Sequence, residues 1–185
     1  LVKTAVPISY GDNYKNYKIV GTTNQFPLLY KTKIAKGRPV KNSMEVVLGA
    51  LVAQQLNLKI GDVFLSSHGL VENDIEIHSE DFTVVGIYQA TNKVIDRLIV
   101  TNLESIWHIH NHENKENENH LEHHENHDEE KEITALLISF KSPTAFLTLP
   151  RRINENTNMQ AALPKYELDK LYRYTGIGFK TISWV

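Results

Sequence analysis

The sequence predicts an α+β fold, and three observations lead to that prediction. Short runs rich in β-branched residues, such as FTVVGIY at 82–88, recur along the chain and are bounded by turn residues. Between them lie segments whose apolar residues have helical spacing. With 185 residues, 41% of them hydrophobic, the chain is long enough to bury one sizeable core or two small ones.

The first third of the chain contains five predicted elements. Thr4–Tyr10 and Tyr17–Thr23 are strand-like runs, and the turn residues between them predict a hairpin or two neighbouring strands. Glu45–Leu48 is a further strand, and the apolar spacing continues it as a helix through 51–56. The run KIGDVFLSS at 59–67 then turns at Gly-Asp into another strand.

The middle of the chain supplies two more strands and a short helix. Phe82–Tyr88 and Arg97–Thr101 are rich in β-branched residues, which favour strands. Thr101 with Glu104 three residues later forms the pattern of a capping box. We therefore expect a short helix at 102–109.

The last part of the chain returns to regular patterns. Ile133–Phe140 is a clear strand, and the pair Ser142-Pro143 is typical of an N-cap followed by a first-turn proline. Pro150 is expected to kink or divide the helix that follows. Met159–Leu163 is predicted as a short strand, and a final helix is predicted from about Tyr166.

The two ends of the chain suggest a piece excised from a membrane protein. There is no initiator Met, no signal-like region and no apolar run near 20 residues. The tail GIGFKTISWV becomes apolar, with Trp184 placed as an interfacial aromatic is placed beside a membrane helix. An ordinary C-terminal strand explains the same tail, and both interpretations stay open here.

A segment rich in His, Glu and Asn interrupts these patterns at 108–132. It contains nine carboxylates and two lysines, so its charge is near -7, whereas the remainder, with 18 basic and 13 acidic residues, is near +5. Only Ile109 and Leu121 in it are apolar, so it cannot offset the entropy of ordering. We expect a disordered loop inserted between a helix and a strand of a complete fold.

The composition excludes several classes of function. The chain has no cysteine, which removes disulfides and thiolate chemistry, and its basic residues are scattered without the aromatic platform of a nucleic-acid surface. No G-x-x-x-x-G-K-[ST] phosphate loop occurs. Ser67-His68 and His78 with its acidic neighbours are interpreted as a solvated loop. We therefore predict no catalytic residues, no enzyme activity and no required cofactor.

Seven of the nine histidines lie at the start of this segment or within it, and their spacing suits metal binding. Imidazole and carboxylate together are good ligands for Zn(II) and for other divalent transition metals. One group alternates, as on one side of an extended chain, and the other has the spacing of one helical stripe. The candidate ligands are His108, His110, His112, His120, His123, His124 and His127. Specific metal binding, weak adventitious binding and an inert tether all remain open.

An ordered set of segments gives the chain a family resemblance. EVVLGALVAQQLNLKIGDVF, then FTVVGIY, then RLIVTNLESIW occur in the order typical of one family, with YKIVGTT before them and ITALLISFKSP and PRRIN after them. The chain resembles the extracytoplasmic, or periplasmic core, domain of MacB-like and FtsX-like ABC transporter permeases. The resemblance covers nearly all of the chain apart from 111–131.

The resemblance implies two lobes and a position between two membrane helices. Residues 1–34 and 133–185 would form a membrane-proximal α/β lobe, and residues 35–132, including the flexible loop 108–132, a distal β-rich lobe. We then expect the strand at 133–140 to pair with one of the two N-terminal strands, and both termini to lie at one end.

The same resemblance implies a function in transport. An ABC ATPase subunit would hydrolyse ATP in the cytoplasm, and this domain, outside the inner membrane, would couple that cycle to export or efflux, or to a periplasmic adaptor or substrate protein, in a permease dimer. The alternative is a Zn-type metal-capture or sensing module. Drug export, lipoprotein trafficking and regulation of a partner all remain open.

Overall fold

The computed structural model describes residues 2–68, 76–109 and 131–182. The strands are β1 Val2–Tyr14, β2 Tyr17–Thr22, β3 Ile34–Gly37, β4 Glu45–Leu48, β5 Val63–His68, β6 Glu76–Tyr88, β7 Leu98–Asn102 and β8 Ala135–Phe140. The helices are α1 Phe26–Leu29, α2 Ala50–Leu56, α3 at 103–109, α4 Pro143–Asn156 and α5 Pro164–Ile182, with a 3-10 turn at Val94–Arg97. The prediction of an α+β fold is confirmed in that the chain mixes helices with one large sheet.

The chain divides into two compact units. Ala5–Leu137 forms the larger unit, and the described residues up to Thr4 join those from Ile138 onward in the smaller one. The prediction of a membrane-proximal lobe at 1–34 and 133–185 and a distal lobe at 35–132 stays a prediction. The predicted position of the two termini stays one too, because residues 1 and 185 lie outside the described residues.

The strands of the larger unit close into a ring. They follow the order β2-β7-β4-β6-β5-β1, and β1 also pairs with β2, while β3 lies against β6. The closing contact between β1 and β5 is a single pair, Asn13 with Ser67. The β1–β2 hairpin is antiparallel as predicted, whereas β2–β7 and β4–β6 are parallel.

Strand β8 follows β1 in the sheet order, so the predicted pairing of 133–140 with an N-terminal strand is confirmed. Within the larger unit, Thr134, the residue before β8, forms two hydrogen bonds with the backbone of β1. Its N–H donates to the carbonyl of Ile8 at 2.9 Å, and its hydroxyl accepts from the N–H of Tyr10 at 3.1 Å.

Four strands of the larger unit, β2, β4, β6 and β7, are buried on both faces along part of their length. Successive residues of a strand point to opposite faces, yet each of these strands contains at least two consecutive buried residues. One cluster contains Ile19, Val46, Leu48, Val84 and Ile99, and the other contains Val20, Val47, Val85 and Val100. This arrangement explains why these strands are continuous apolar runs and do not alternate with polar residues.

Helix α3 packs against the ring through Ile106. Gly21 in β2 leaves the space for it, because a Cβ at that position would lie 2.4 Å from Ile106 Cγ1 and 3.0 Å from the carbonyl oxygen of Asn102. Gly11 in β1 also leaves space for this side chain, because a Cβ at that position would lie 2.5 Å from Ile106 Cδ1. Both positions therefore require a residue without a Cβ so that Ile106 can pack there.

The predicted capping box at Thr101 and Glu104 is wrong. Thr101 belongs to β7, and its hydroxyl donates at 2.8 Å toward the buried carbonyl of Glu45 or toward Ser105 Oγ. Asn102 caps α3 in its place, since its side-chain oxygen accepts from the N–H of Ser105 at 2.9 Å. The helix itself is present where it was predicted.

Helix α4 begins as predicted. Ser142 is its N-cap, with its hydroxyl accepting from the N–H of Ala145 at 3.4 Å. Pro150 does not divide the helix, which continues to Asn156. The carbonyl four residues earlier, on Phe146, lies on an exposed part of the helix where water can hydrate it.

The predicted strand at Met159–Leu163 is wrong, since 157–163 has no regular structure. The side-chain amide of Asn154 makes both hydrogen bonds of the Ala161 backbone, at 2.9 and 2.6 Å, so that backbone is not available to a sheet. The alternative of a C-terminal strand is also wrong for the described residues, because α5 continues to Ile182. Trp184 lies outside the described residues.

We expect Gly21→Ala to lower the free energy of unfolding by about 2 kcal/mol, because the added methyl group overlaps Ile106 and the surrounding core is close-packed. Urea unfolding followed by circular dichroism measures the change. The control is Gly176→Ala, where the added Cβ meets no atom within 4 Å and a helical Ala is expected to be neutral or stabilising. Equal stabilities of Gly21→Ala and the parent would contradict this packing.

Candidate functional site

The predicted metal ligands lie almost entirely outside the described residues. Only His108 is described, on α3 with an exposed side chain; the other six candidates fall within 110–130. Among the residues whose side chains the structure describes, no three His, Asp or Glu side chains are grouped so as to hold a metal ion. Metal binding by the seven histidines stays a prediction, as does the disorder of the loop.

The two ends of the His-rich segment are joined by contacts at its base. The indole N–H of Trp107 donates to the carbonyl of Glu132 at 2.6 Å. The ammonium group of Lys131 lies 5.7 Å from the centre of the same indole ring. The segment therefore leaves and re-enters the fold at neighbouring points, as expected of an insertion that the core does not need.

A second candidate site is a cleft at the edge of the closed sheet, in the larger unit. Strands β2 and β7 are parallel and in register up to Thr22 with Asn102, so both end at the same edge. Carboxyl ends of parallel strands are a common position for binding sites. The cleft has a volume of about 460 Å³ and is lined by Thr22, Thr23, Asn24, Val40, Lys41, Ser43, Tyr88, Val100, Thr101, Asn102, Leu103 and Glu104.

One wall of the cleft is held by the carboxylate of Glu45. Arg38 donates to both carboxylate oxygens, from Nη1 at 2.7 Å and from Nη2 at 2.6 Å. The N–H groups of Lys41 and Asn42 donate to Oε2 at 2.9 and 3.1 Å, and the Asn42 amide donates to Oε1 at 2.9 Å. Five hydrogen bonds to one buried carboxylate therefore fix the loop that presents Lys41 and Ser43.

These hydrogen bonds also change how Glu45 titrates. The bonds from Arg38 hold the pKa of Glu45 well below its usual range, and those from Lys41 and Asn42 act in the same direction, which outweighs the opposite effect of burial. In return, the hydrogen bond to Glu45 raises the pKa of Arg38. The loop is therefore held by a permanently ionised pair near neutral pH.

Hydrogen bonds also hold the other walls of the cleft in position. Thr22 donates its hydroxyl to the carbonyl of Pro7 at 2.7 Å, and the Asn102 amide donates to the carbonyl of Asn42 at 3.2 Å. Tyr88 is 6% exposed, and burial raises its pKa to about 12, so it stays a neutral hydroxyl. A cleft with such walls is preformed and does not depend on a ligand for its shape.

The cleft was not predicted from the sequence. The signal lies in two similar runs, GTTN at 21–24 and IVTN at 99–102. Strand β2 ends at Thr22 and is followed by Thr23-Asn24, whereas β7 ends in Thr101-Asn102. Their meeting depends on the parallel pairing of β2 with β7, which neither run specifies alone. The interpretation of the stretches around Ser67 and His78 as a loop is wrong, because Ser67 lies in β5 and His78 in β6, which pair with each other. The side chains of both residues lie outside the described part of the structure.

We expect Glu45→Gln to lower the free energy of unfolding by about 2 kcal/mol at pH 7, because it weakens charge-assisted hydrogen bonds to a buried group. The folded-state pKa lies below the unfolded value of about 4.3. The stability from ionised Glu45 is therefore fully present above that value and is lost as pH falls toward the folded-state pKa. Urea unfolding at pH 7 and at about pH 3.5 measures the difference.

The control for this prediction is Glu155→Gln. Its carboxylate accepts from Arg151 at 2.7 Å in an exposed helical pair, and such a pair contributes at most about 0.5 kcal/mol. If the difference between Glu45→Gln and the parent were the same at both pH values, the ionised pair would not be what holds the loop.

Comparison with protein families gives one match. A family model described as the MacB-like periplasmic core domain matches residues 2–148, which is most of the chain. A search of curated proteins finds no match.

Two of the solved structures that this chain matches are domains of transporters. One is the extracellular domain of the noncanonic ABC-type transporter YknZ from Gram-positive bacteria, with a TM-score of 0.50 and 8% identity over 84% of this chain and 76% of that one. The other is the periplasmic region of MacB from Actinobacillus actinomycetemcomitans, with a TM-score of 0.39 and 13% identity over 58% of this chain and 51% of that one. The resemblance of the sequence is confirmed by the family match, and the chain belongs to the family of MacB-like periplasmic core domains.

Proposed function

We propose that this chain is the extracytoplasmic coupling domain of an ABC transporter permease of the inner membrane. The observation that carries the proposal is the family match over residues 2–148. The likeness in fold to the extracellular domain of YknZ supports the same placement. Among the residues described, no helix combines the length and apolarity needed to cross a membrane, and we assign the membrane helices to other parts of the permease.

In this proposal ATP is hydrolysed by a separate cytoplasmic subunit or domain. The sequence has no G-x-x-x-x-G-K-[ST] loop to hold nucleotide phosphates. The domain receives motion through membrane helices attached at both ends, and acts in a permease dimer on an export substrate or a periplasmic adaptor. The lobe formed by 1–34 and 133–185 lies nearest the membrane.

The construction of the larger unit suits it to transmit motion. Its strands close into a ring, and both faces of the sheet carry a buried core. Close-packed interiors have low compressibility and transmit strain. A displacement applied at one strand therefore moves this unit as a body, which is the property that a coupling element requires.

Distance measurements between two copies of the domain test the coupling. The chain has no cysteine, so Lys36→Cys, at an exposed position of β3, accepts a single spin label. In the full-length permease dimer with its ATPase subunit, we expect the label-to-label distance to differ between the nucleotide-free and ATP-bound states. Pulsed electron paramagnetic resonance measures that distance.

The control is an ATPase variant that cannot bind ATP, for which both conditions are expected to give the nucleotide-free distance. The same distance distribution with and without ATP in the unmodified ATPase would contradict the coupling function.

We also propose a second function, the binding of Zn(II) by the His-rich segment. It rests on the spacing of His108, His110, His112, His120, His123, His124 and His127 and on the many carboxylates around them. The contact between Trp107 and Glu132 at the base holds the ends of the segment together, which lowers the entropy that binding must overcome. A permease can combine both functions, with the segment sensing or guiding a metal.

We expect the chain to bind Zn(II) through three or four of these histidines, with a Glu completing the coordination. Protons compete with the metal, so affinity is expected to weaken as pH falls through about 6 to 7. Isothermal titration calorimetry at several pH values measures the affinity. Histidine-to-alanine changes at all seven positions are expected to abolish binding.

A chain lacking 111–131 is the control for folding. Because Trp107 and Glu132 hold the ends of the deletion together, it is expected to unfold at nearly the same urea concentration as the parent and to lose Zn(II) binding. Equal Zn(II) affinity of the parent and the seven-alanine chain, or no binding by the parent below about 100 µM, would identify the segment as a tether.

A further inference from the structure

The cleft contains one cationic and one anionic side chain that do not neutralise each other. Lys41 and Glu104 both line it and both are exposed. Across the described residues, no ion pair within 4.0 Å joins them to each other or to any other charged group. Each charge is therefore free to meet an opposite charge that enters the cleft from solution.

A buried tyrosine in the same wall makes no side-chain hydrogen bond with any described residue. Tyr88 lines the cleft and is 6% exposed, and no hydrogen bond to its hydroxyl occurs in the described part of the chain. Buried polar groups in proteins are rarely left unsatisfied, and such a group beside a cleft points to a molecule that occupies it. Its neutral hydroxyl can donate one hydrogen bond and accept others.

The remaining polar lining consists of small neutral groups. Thr23, Asn24 and Ser43 are exposed there and provide both donors and acceptors. Glu45 and Asn102 fix the loop that presents Ser43, and the carbonyl of Thr23 accepts from the N–H of Phe26 at 2.9 Å. A volume of about 460 Å³ lies within the range of small-molecule sites.

We propose that this cleft binds a small zwitterion, with its carboxylate or phosphate at Lys41, its ammonium group at Glu104 and a hydrogen bond from Tyr88. A ligand with a single charge would leave one of the two side chains facing no partner or a like charge. The charge pattern therefore selects against it. This site does not depend on the coupling function, and it is separate from the His-rich segment.

Two sources supply this chemistry, a short peptide and the headgroup of a zwitterionic lipid. The dipeptide Ala-Ala and glycerophosphoethanolamine represent them, and calorimetric titration of each into the purified chain shows which source binds more tightly. We expect at least one to bind with a Kd below about 1 mM. If neither does, the cleft is a solvated groove and the proposal is overturned.

Matched analogues of the dipeptide test the role of each charge. N-acetyl-Ala-Ala keeps only the carboxylate, and Ala-Ala amide keeps only the ammonium group. Each is expected to bind about tenfold more weakly than Ala-Ala, which corresponds to one charge-assisted contact. With glycerophosphoethanolamine as the tighter ligand, glycerol 3-phosphate and ethanolamine serve as the two analogues. Equal binding of either analogue and its zwitterion by the parent would overturn the proposal.

Substitutions in the cleft assign the two charges to their side chains. Lys41→Met is expected to bind the zwitterion about tenfold more weakly than the parent does, and no more tightly than it binds the analogue that has only the ammonium group. Glu104→Gln is also expected to bind the zwitterion about tenfold more weakly than the parent does, and no more tightly than it binds the analogue that has only the anionic group. The control Lys36→Met removes an exposed lysine that does not line the cleft and is expected to leave affinity unchanged. An unchanged affinity in both cleft variants, or an equal loss in the control, would overturn the assignment.

Discussion

The structure depends on the burial of four strands of one closed sheet on both of their faces. Neighbouring residues such as Val46 and Val47 belong to different apolar clusters, and each is fully buried. At about 25 cal/mol per Å² of apolar surface, such two-sided burial is the dominant favourable term in folding. The other elements are arranged around it: α3 packs through Ile106, the loop before β4 is fixed by Glu45, and the cleft lies where two parallel strands end.

This arrangement separates the packed strands of the larger unit from the point at which the His-rich segment is inserted. Strands β2, β4, β6 and β7 are constrained by packing on both sides, whereas the described ends of the His-rich segment contact the fold through the buried side chain of Ile109 and through the contacts of Lys131 and Glu132 with Trp107. A long insertion at such a point adds little loop-closure cost, because that cost grows only with the logarithm of length. The domain can therefore carry an unusual acidic segment without a change in its core.

Much of the fold could be predicted from the sequence, because two-sided burial produces the uninterrupted β-branched runs that mark strands. Two local predictions failed because a side chain forms a hydrogen bond with a residue that the local sequence pattern does not include. The hydroxyl of Thr101 is directed toward the carbonyl of Glu45, and Asn102 caps α3. The side-chain amide of Asn154 forms hydrogen bonds with the backbone of Ala161. The cleft was missed because it requires strands far apart in sequence to lie parallel. Family membership was predictable because it depends on ordered segments, and the histidines stay a prediction.

The central claim is that this domain lies outside the inner membrane as part of a permease, and its accessibility tests that claim most directly. In cells with an intact inner membrane that express the full-length permease, a Lys36→Cys change introduces a single thiol in this cysteine-free domain. Labelling with a membrane-impermeant maleimide, followed by mass measurement of the peptide that carries residue 36, gives the fraction modified. The account predicts the same fraction before and after the inner membrane is permeabilised. Labelling that occurs only after permeabilisation would contradict it.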